Sequence, residues 1–411
     1  METLRVTMKV VSPLFMNGAQ SGRPEIRAAS IKGALRFWYR AICLSRLYCW
    51  QEVKREEMRV FGSTEQNGDS NKISGQANFL LKVVPLTVKV ADSFETQNKH
   101  GLLYLGYGPV SFKGVQRSFI TVGSTFDIVI VFKRFAIESY RGLTEQDVHD
   151  LEHAIHALNF FGGVGTRSRR GFGSLNIVDW QASYGPQSRW VVPRSAEGLK
   201  TQIEAWCSGL EPFASSQPEY TAFSTASKSI VVRSGKPWLE TLNEVGKTFL
   251  AFRTSGRANR DIKGGASGEN RMLPWNAPVT PRFWDDHDLV YNNKRSDQTP
   301  SAAPRRIVFG LPHNYYYSSD NSNVSVDVIR DGDRQRRASP LFIHAHEVGS
   351  ETTKDKECVV ILTTFPSRFL PESDGIKIQA SNLVKPNVDY SILNKLLEVF
   401  KSPLEVRIND R

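Results

Sequence analysis

Residues 3–11 alternate between apolar and polar side chains. Leu4, Val6, Met8 and Val10 share one face, and Arg5, Thr7 and Lys9 share the other, which predicts a half-buried strand. A turn-rich stretch with Gly18, Gly22 and Pro24 follows. The spacing then becomes helical: Ile31, Leu35, Trp38 and Ile42 form one stripe, with Ser30 as the expected N-cap and an end near Cys49. At about 100° per residue, Lys32, Arg36, Tyr39 and Arg40 fall on an adjoining face. Residues 77–90 read as a second strand, with Pro85 marking an edge or a bulge, and residues 125–135 read as a third. Thr144 opens a second helix, striped by Val148, Leu151, Ile155 and Leu158. Asp147 completes a weak capping box there, and Gly162-Gly163 stops the helix. Residues 172–180 form a fourth strand.

This order is β-α-β-β-α-β, the ferredoxin-like pattern: two helices on one face of an antiparallel sheet, with the other face and the end loops left for ligands. The second half repeats it. A strand at 228–233 precedes a helix from Pro237 to about Phe252; strands at 340–348 and 357–364, a helix from about Tyr390 to Phe400 and a short strand at 404–408 close the chain. A polar segment at 253–304 is too long for a simple connection. The expected fold is α+β, with two tandem ferredoxin-like (RRM-like) domains. The N-terminal one spans 1–180 and the C-terminal one 228–411, with an insertion at about 253–338. Residues 181–227 are a linker carrying one short helix near Ala196–Trp206.

The composition fits two ordinary cores: 411 residues, 40% hydrophobic and 23% charged. No run approaches the roughly 18 apolar residues of a membrane span. The N-terminus enters the first strand without the succession of a signal peptide. Cys43, Cys49, Cys207 and Cys358 form no Cys-x-x-Cys pair, which argues against a zinc knuckle or a redox motif and fits a reducing compartment. A cytoplasmic protein without a membrane partner is expected. The formal charge of +11 favours a polyanionic partner, nucleic acid first.

The charge is concentrated in three segments. Over 23–46, Arg23, Arg27, Lys32, Arg36, Arg40 and Arg46 stand against Glu25 alone. Residues 162–173 read Gly-Gly-Val-Gly-Thr-Arg-Ser-Arg-Arg-Gly-Phe-Gly and hold Arg167, Arg169 and Arg170 with no acid. Over 253–271, Arg253, Arg257, Arg260, Lys263 and Arg271 face only Asp261 and Glu269. In the second segment, glycines such as Gly163 and Gly165 let backbone N–H groups approach phosphates. The arginines add bidentate contacts and stacking, and Phe172 is a candidate base platform. A helix stop explains Gly162 and Gly163 but not the arginines, so RNA binding is favoured. As loop residues, these arginines are expected to matter little for stability. The segment lacks the lysine of a Walker loop, and Ser168 stands where a dinucleotide fingerprint needs its third glycine. On the first helix, no glutamate lies at i±4 from Lys32 or Arg36 to form a surface ion pair. That favours phosphate contact, while Leu35 and Trp38 belong to the core.

Enzymatic readings are weaker. His149, His153 and His156 share a helix face, and His-x₃-His can hold a metal. Asp147, Asp150 and Glu152 crowd the same turns, however, and no Glu follows His149; a solvated polar face is preferred, and no metal or other cofactor is expected. His344 and His346 alternate along a strand and read as structural. His313-Asn314-Tyr315-Tyr316-Tyr317 reads as an interface or an RNA-stacking loop. Spacing supports no Ser/His/Asp or Cys/His nucleophile and no metal-binding carboxylate cluster.

The segment Arg23-Pro24-Glu25-Ile26-Arg27-Ala28-Ala29-Ser30-Ile31-Lys32-Gly33-Ala34-Leu35-Arg36-Phe37-Trp38-Tyr39-Arg40-Ala41 resembles the N-terminal signature of the first Cmr-type RAMP subunit of type III-B CRISPR complexes. The loop Gly162–Gly173 resembles the glycine- and arginine-rich loop of the RAMP superfamily. Arg336-Arg337-Ala338-Ser339-Pro340-Leu341 resembles a basic segment of the same subunit's C-terminal domain. The resemblance implies two ferredoxin-like domains and a place at one end of a ribonucleoprotein of antiviral defence. It also implies contacts with neighbouring RAMP subunits and with guide or target RNA. No catalytic residue is implied, because target cleavage in this family is attributed to the repeated backbone subunit. The RNA contacts then expected are Arg27, Lys32, Arg36, Arg40, Gly163, Gly165, Arg167, Arg169, Arg170, Phe172, Arg253, Arg257, Arg336 and Arg337. The alternative is a metal-independent RAMP endoribonuclease that processes CRISPR RNA, with His313 and Tyr315 as acid–base candidates. A metalloenzyme built on the three helical histidines is the other rival.

Overall fold

The computed structural model describes residues 2–18, 20, 22–47, 49–63, 75–133, 142–185, 190–210, 217–253, 283–295, 298–349 and 356–408. The first half runs β1 (Thr3–Val10), α1 (Ala28–Leu47), α2 (Trp50–Phe61), β2 (Phe79–Thr87), β3 (Val90–Ala91) and α3 (His100–Leu105). It continues with β4 (Val110–Ser111), β5 (Gly114–Val115), β6 (Phe119–Ile120), β7 (Thr125–Phe132), α4 (Glu145–Phe161) and β8 (Leu175–Ala182). The long strands form an antiparallel sheet in the order β2-β7-β1-β8. Leu4, Val6, Met8 and Val10 are buried as their alternation predicts, in one core with Ile31, Leu35 and Trp38 of α1 and Leu151 and Ile155 of α4. On the other face, Arg5 pairs with Asp127 of β7 at 2.9 Å. Pro85 has no N–H for a ladder; it lies on the edge strand β2, where the register shifts between Pro85 and Thr87. Thr144 caps α4 in a full capping box with Asp147.

Three local expectations need correction. Ser30 lies inside α1, which begins at Ala28. The helix closes at Leu47, and a further helix, α2, packs Val53, Val60 and Phe61 inward. The fourth strand starts at Leu175, because Gly171 and Gly173 take positive φ angles of 84° and 64° and turn the chain before it can extend.

The second half begins with α5 (Ala196–Ser208). Ser195 caps it by accepting from the Gly198 N–H. Then come β9 (Lys228–Lys236), α6 (Trp238–Phe252), α7 (Trp284–Asn293), β10 (His313–Tyr317), β11 (Ser322–Arg330) and β12 (Asp333–Gln335). β13 (Leu341–Val348), β14 (Glu357–Thr364), β15 (Gly375–Ile378), α8 (Ser391–Glu398) and β16 (Leu404–Val406) complete it. The sheet order β13-β14-β9-β16 repeats that of the first half: in both, the strands lie second, third, first, fourth in chain order. The insertion folds into its own sheet. β10 and β12 pair successive parts of β11, and β15 pairs it from a later segment, around Tyr315, Tyr317, Val326 and Ile376. His313–Tyr317 is therefore a strand rather than a loop. Arg257, with the rest of 254–282, lies outside the described residues.

The halves are locked together. Lys9 pairs with Glu347, Asn176 Nδ2 donates to the Glu347 carbonyl at 2.9 Å, and the Ala345 N–H donates to Ser174 Oγ at 3.0 Å. Trp38 packs on Phe342 and Phe365 from the second half. α3 sits so close to α6 that a Cβ on Gly101 would lie 2.0 Å from the Asn243 carbonyl oxygen. Among the described residues, no helix is long and apolar enough to cross a membrane.

Candidate nucleic-acid interface

A groove of ≈1250 Å³ opens beside α1, α2 and β2. Its lining includes Lys32, Arg36, Arg40, Lys54, Lys133 and Arg337, with Glu57 as the one carboxylate among the described lining residues. Glu57 of α2 organises this face: it pairs with Arg36 Nε at 2.7 Å and with an Arg40 guanidinium nitrogen at 3.1 Å. Arg36 also donates to the Gly62 carbonyl at 2.5 Å. The two arginines thus have a carboxylate partner after all, supplied by a neighbouring helix rather than from within α1. Lys32 stands 5.4 Å from the centre of the Phe79 ring and makes no ion pair among the described residues. Burial, then Arg36 and Lys133, lower its pKa. Such an uncompensated cation gains from an anionic ligand. Arg27 is exposed just before α1. Arg46, by contrast, is tied to Asp150 at 2.7 Å.

Past Trp50, Tyr220 and Arg337 the groove continues into a depression of ≈590 Å³ that adds Arg330, Arg336 and Arg368. Arg330 is held by Asp374 at 2.8 Å. Arg337 donates to Ser367 Oγ at 2.7 Å. Arg336 and Arg368 are exposed and make no ion pair among the described residues. The fold thus joins the basic face of α1 to the Arg336-Arg337 segment. Arg368 was missed by the sequence reading; a lone arginine carries no signal until the fold brings it beside the others.

The glycine- and arginine-rich loop does something else. The Arg169 guanidinium lies against the stacked pair Phe37 and Phe342, 5.1 and 4.6 Å from their ring centres. It donates to the Ser339 carbonyl at 3.3 Å, and the Arg169 carbonyl accepts from the Ile343 N–H at 3.2 Å. Arg170 covers the Phe249 ring at 5.0 Å. Burial pulls the pKa of both down to about 10. Gly165 has φ 80°, and a Cβ there would stand 2.6 Å from the Phe15 carbonyl oxygen; on Gly163 it would stand 2.8 Å from that of Ser168. These glycines serve close backbone packing rather than a phosphate cradle. Phe172 is 0% exposed and packs on Phe15 at 5.7 Å, so it offers no face to a base. Toward the groove the loop offers no open phosphate site, because Arg169 and its glycines are wedged into the seam between the halves. Arg167 Nε donates to the Tyr107 carbonyl at 2.6 Å, and Arg167 and Arg170 both line a separate cavity beside α3. Arg253, half-buried, bonds the Tyr104 hydroxyl and contacts His313 Nε2 at 2.9 Å.

Of the three helical histidines, His149 is on a solvated face as expected, while His153 and His156 are half-buried against aromatic rings. His156 stacks on Trp180 at 4.8 Å and His153 leans on Trp206 at 5.6 Å. The His149 and His153 Nε2 atoms lie 3.1 Å apart. Burial lowers His153 to about 3 and His156 to about 4. His344 and His346 do share a face, with 3.4 Å between ring nitrogens, and both are buried. His344 Nδ1 donates to the Gly162 carbonyl at 2.5 Å. Tyr315 is 5% exposed beneath Arg306 at 4.4 Å, and burial holds His313 well below the usual histidine range. Neither lines the groove. All four cysteines are free thiols.

The sequence profile of the RAMP superfamily matches residues 7–176. The CRISPR system Cmr subunit Cmr1-1 of Pyrococcus furiosus is 30% identical over 378 residues, covering 91% of this chain and 90% of that protein. Cmr subunit Cmr1-2 of the same organism is 26% identical over 182 residues, covering 41% of this chain and 92% of that protein. The crystal structure of apo Cmr1 from Pyrococcus furiosus shares the fold, with TM-score 0.53 at 21% identity and 98% coverage of both chains. The chain belongs to the Cmr1 family of CRISPR system Cmr subunits, within the RAMP superfamily.

Proposed function

We propose that the chain is a non-catalytic RNA-binding subunit of a type III-B Cmr effector complex. In this reading it holds guide or target RNA at one end of a cytoplasmic antiviral assembly and contacts other RAMP subunits. It is built as two tandem ferredoxin-like domains, 1–180 and 228–411, joined through 181–227. The repeated strand order of the two sheets supports that division. The relationship to a CRISPR system Cmr subunit supports the assembly.

One observation carries the RNA reading. A continuous groove collects cations from both halves, Lys32, Arg36 and Arg40 from one and Arg336, Arg337 and Arg368 from the other. A polyphosphate backbone neutralises such a track along its length, whereas a small anion would occupy one point of it. Trp50, 41% exposed, and Tyr220 offer rings beside the cations for stacking. Burial of His313 and Tyr315 argues against their use as an acid–base pair on bound RNA.

The test is incubation of the purified protein with end-labelled single-stranded RNA, with and without EDTA. Bound and intact RNA in both conditions is expected. Cleavage in EDTA would replace this reading with a metal-independent endoribonuclease. Cleavage only without EDTA would replace it with a metalloenzyme.

A further inference from the structure

Beside α3, a second cavity of ≈440 Å³ is separated from the groove by the glycine- and arginine-rich loop. Arg169 of that loop faces Phe37, which lines the groove, while Arg167 and Arg170 line the cavity together with Arg253. No carboxylate lines it among the described residues, and no described carboxylate pairs with any of the three guanidiniums. One buried Arg170 guanidinium nitrogen has no hydrogen-bond partner. Arg167 has φ 65°, a conformation that costs a non-glycine residue energy and is retained where surroundings over-determine it.

The remaining wall is aromatic. Tyr104, Tyr107 and Phe112 line it, and Tyr107 and Phe112 are 73% and 86% exposed. Large rings left this bare at a concave site gain from a flat partner. Three cations without counter-charge call for an anion. A planar ring joined to a phosphate is a nucleotide, and the volume lies within the roughly 300–1,000 Å³ usual for small-ligand pockets.

We infer that this cavity takes one unstacked nucleotide of single-stranded RNA, its phosphate against Arg167, Arg170 and Arg253 and its base against Tyr107 and Phe112. The inference rests on the RNA-binding reading above and adds a base-stacking subsite to it. A base paired in a duplex cannot enter, so the site distinguishes single strands from duplexes.

The experiment compares wild type with the double variant Tyr107→Ala/Phe112→Ala, which removes exposed rings and no charge. Fluorescence anisotropy is read with a labelled unstructured oligoribonucleotide and with a duplex RNA of the same length, beside a thermal melt. The variant is expected to melt as wild type and to bind the single strand about tenfold more weakly. Its affinity for the duplex and its salt dependence are expected to stay unchanged. Equal single-strand affinity for the two proteins overturns the inference while the RNA-binding reading stands, and points to an acidic protein segment as the ligand. Failure of wild type to bind any RNA sinks both. Free 5′-AMP separates the two sources of the same chemistry: a strand site binds it about a hundredfold more weakly than the oligoribonucleotide, and equal affinity overturns the strand assignment. With a 4-thiouridine-substituted strand, photocrosslinks within residues 104–112 are expected; crosslinks confined to α1 and α2 overturn the proposal.

Discussion

Arg169 and Arg336 carry the same side chain into opposite roles. Arg169 packs against the stacked rings of Phe37 and Phe342 and satisfies the Ser339 carbonyl, whereas Arg336 is exposed in the groove. Replacement of Arg169 by Ala removes desolvated cation–π contacts with two rings and a hydrogen bond, and is expected to lower stability by about 1–3 kcal/mol. Arg336→Ala should change stability by no more than about 0.5 kcal/mol while weakening RNA binding. Urea melts beside RNA titrations check the pair; an Arg169→Ala protein as stable as wild type would undo the clasp assignment. The sequence marked both residues as cations for RNA. It had no means of separating them, since burial of Arg169 depends on Phe342 in the other half of the chain. Phe172 misled for the same reason: a phenylalanine in a glycine-rich turn reads as available until the fold closes over it.

Among the elements, α2 changes most in the reading of the groove. Val53, Val60 and Phe61 make too short an apolar stripe to stand out between polar neighbours, so the helix went unpredicted, and Glu57 with it. Glu57→Gln removes the carboxylate that offsets Arg36 and Arg40. RNA affinity should rise severalfold and its salt dependence should steepen, at a cost of about 1 kcal/mol in stability for the lost pair. A fall in RNA affinity would mean that the arginines bind only when Glu57 positions them.

The contact of β13 with the end of α4 makes a separate prediction. His344 donates to the Gly162 carbonyl, and burial lowers its pKa from 6.5 to about 4; His156 is lowered to about 4 in the same way. Between those values the unfolded chain binds protons that the folded chain refuses, so stability is full above about pH 6.5 and declines toward pH 4. The urea midpoint should fall from pH 7 to pH 5, and His344→Gln should flatten that fall. An unchanged midpoint in wild type would contradict the neutral buried histidines. Strands and helices with their own periodicity, such as β1, α4 and β9, were legible, as were the Thr144 cap and Pro85. The insertion sheet was not, because β11 finds a partner in β15, far along the chain.

At the level of the whole molecule, the charge of +11 acquires a direction. Part of it is spent inside the seam on Arg169, part is paired with Glu57, Asp150 and Asp374, and along the groove Lys32, Arg336 and Arg368 face solvent or ligand. Composition announced a polyanionic partner, and periodicity announced two similar halves. Neither showed that the halves meet so that α1 and the Arg336-Arg337 segment form one surface, because that juxtaposition follows from how the sheets dock. The central claim is that this surface neutralises RNA phosphates. The salt dependence of single-stranded RNA affinity tests it, compared between wild type and a Lys32→Ala/Arg336→Ala/Arg368→Ala variant. The account predicts a linear fall of log affinity with log salt, at about −0.7 per phosphate neutralised, and a variant slope shallower by about 2. Superimposable slopes for the two proteins, or an affinity indifferent to salt, would contradict it.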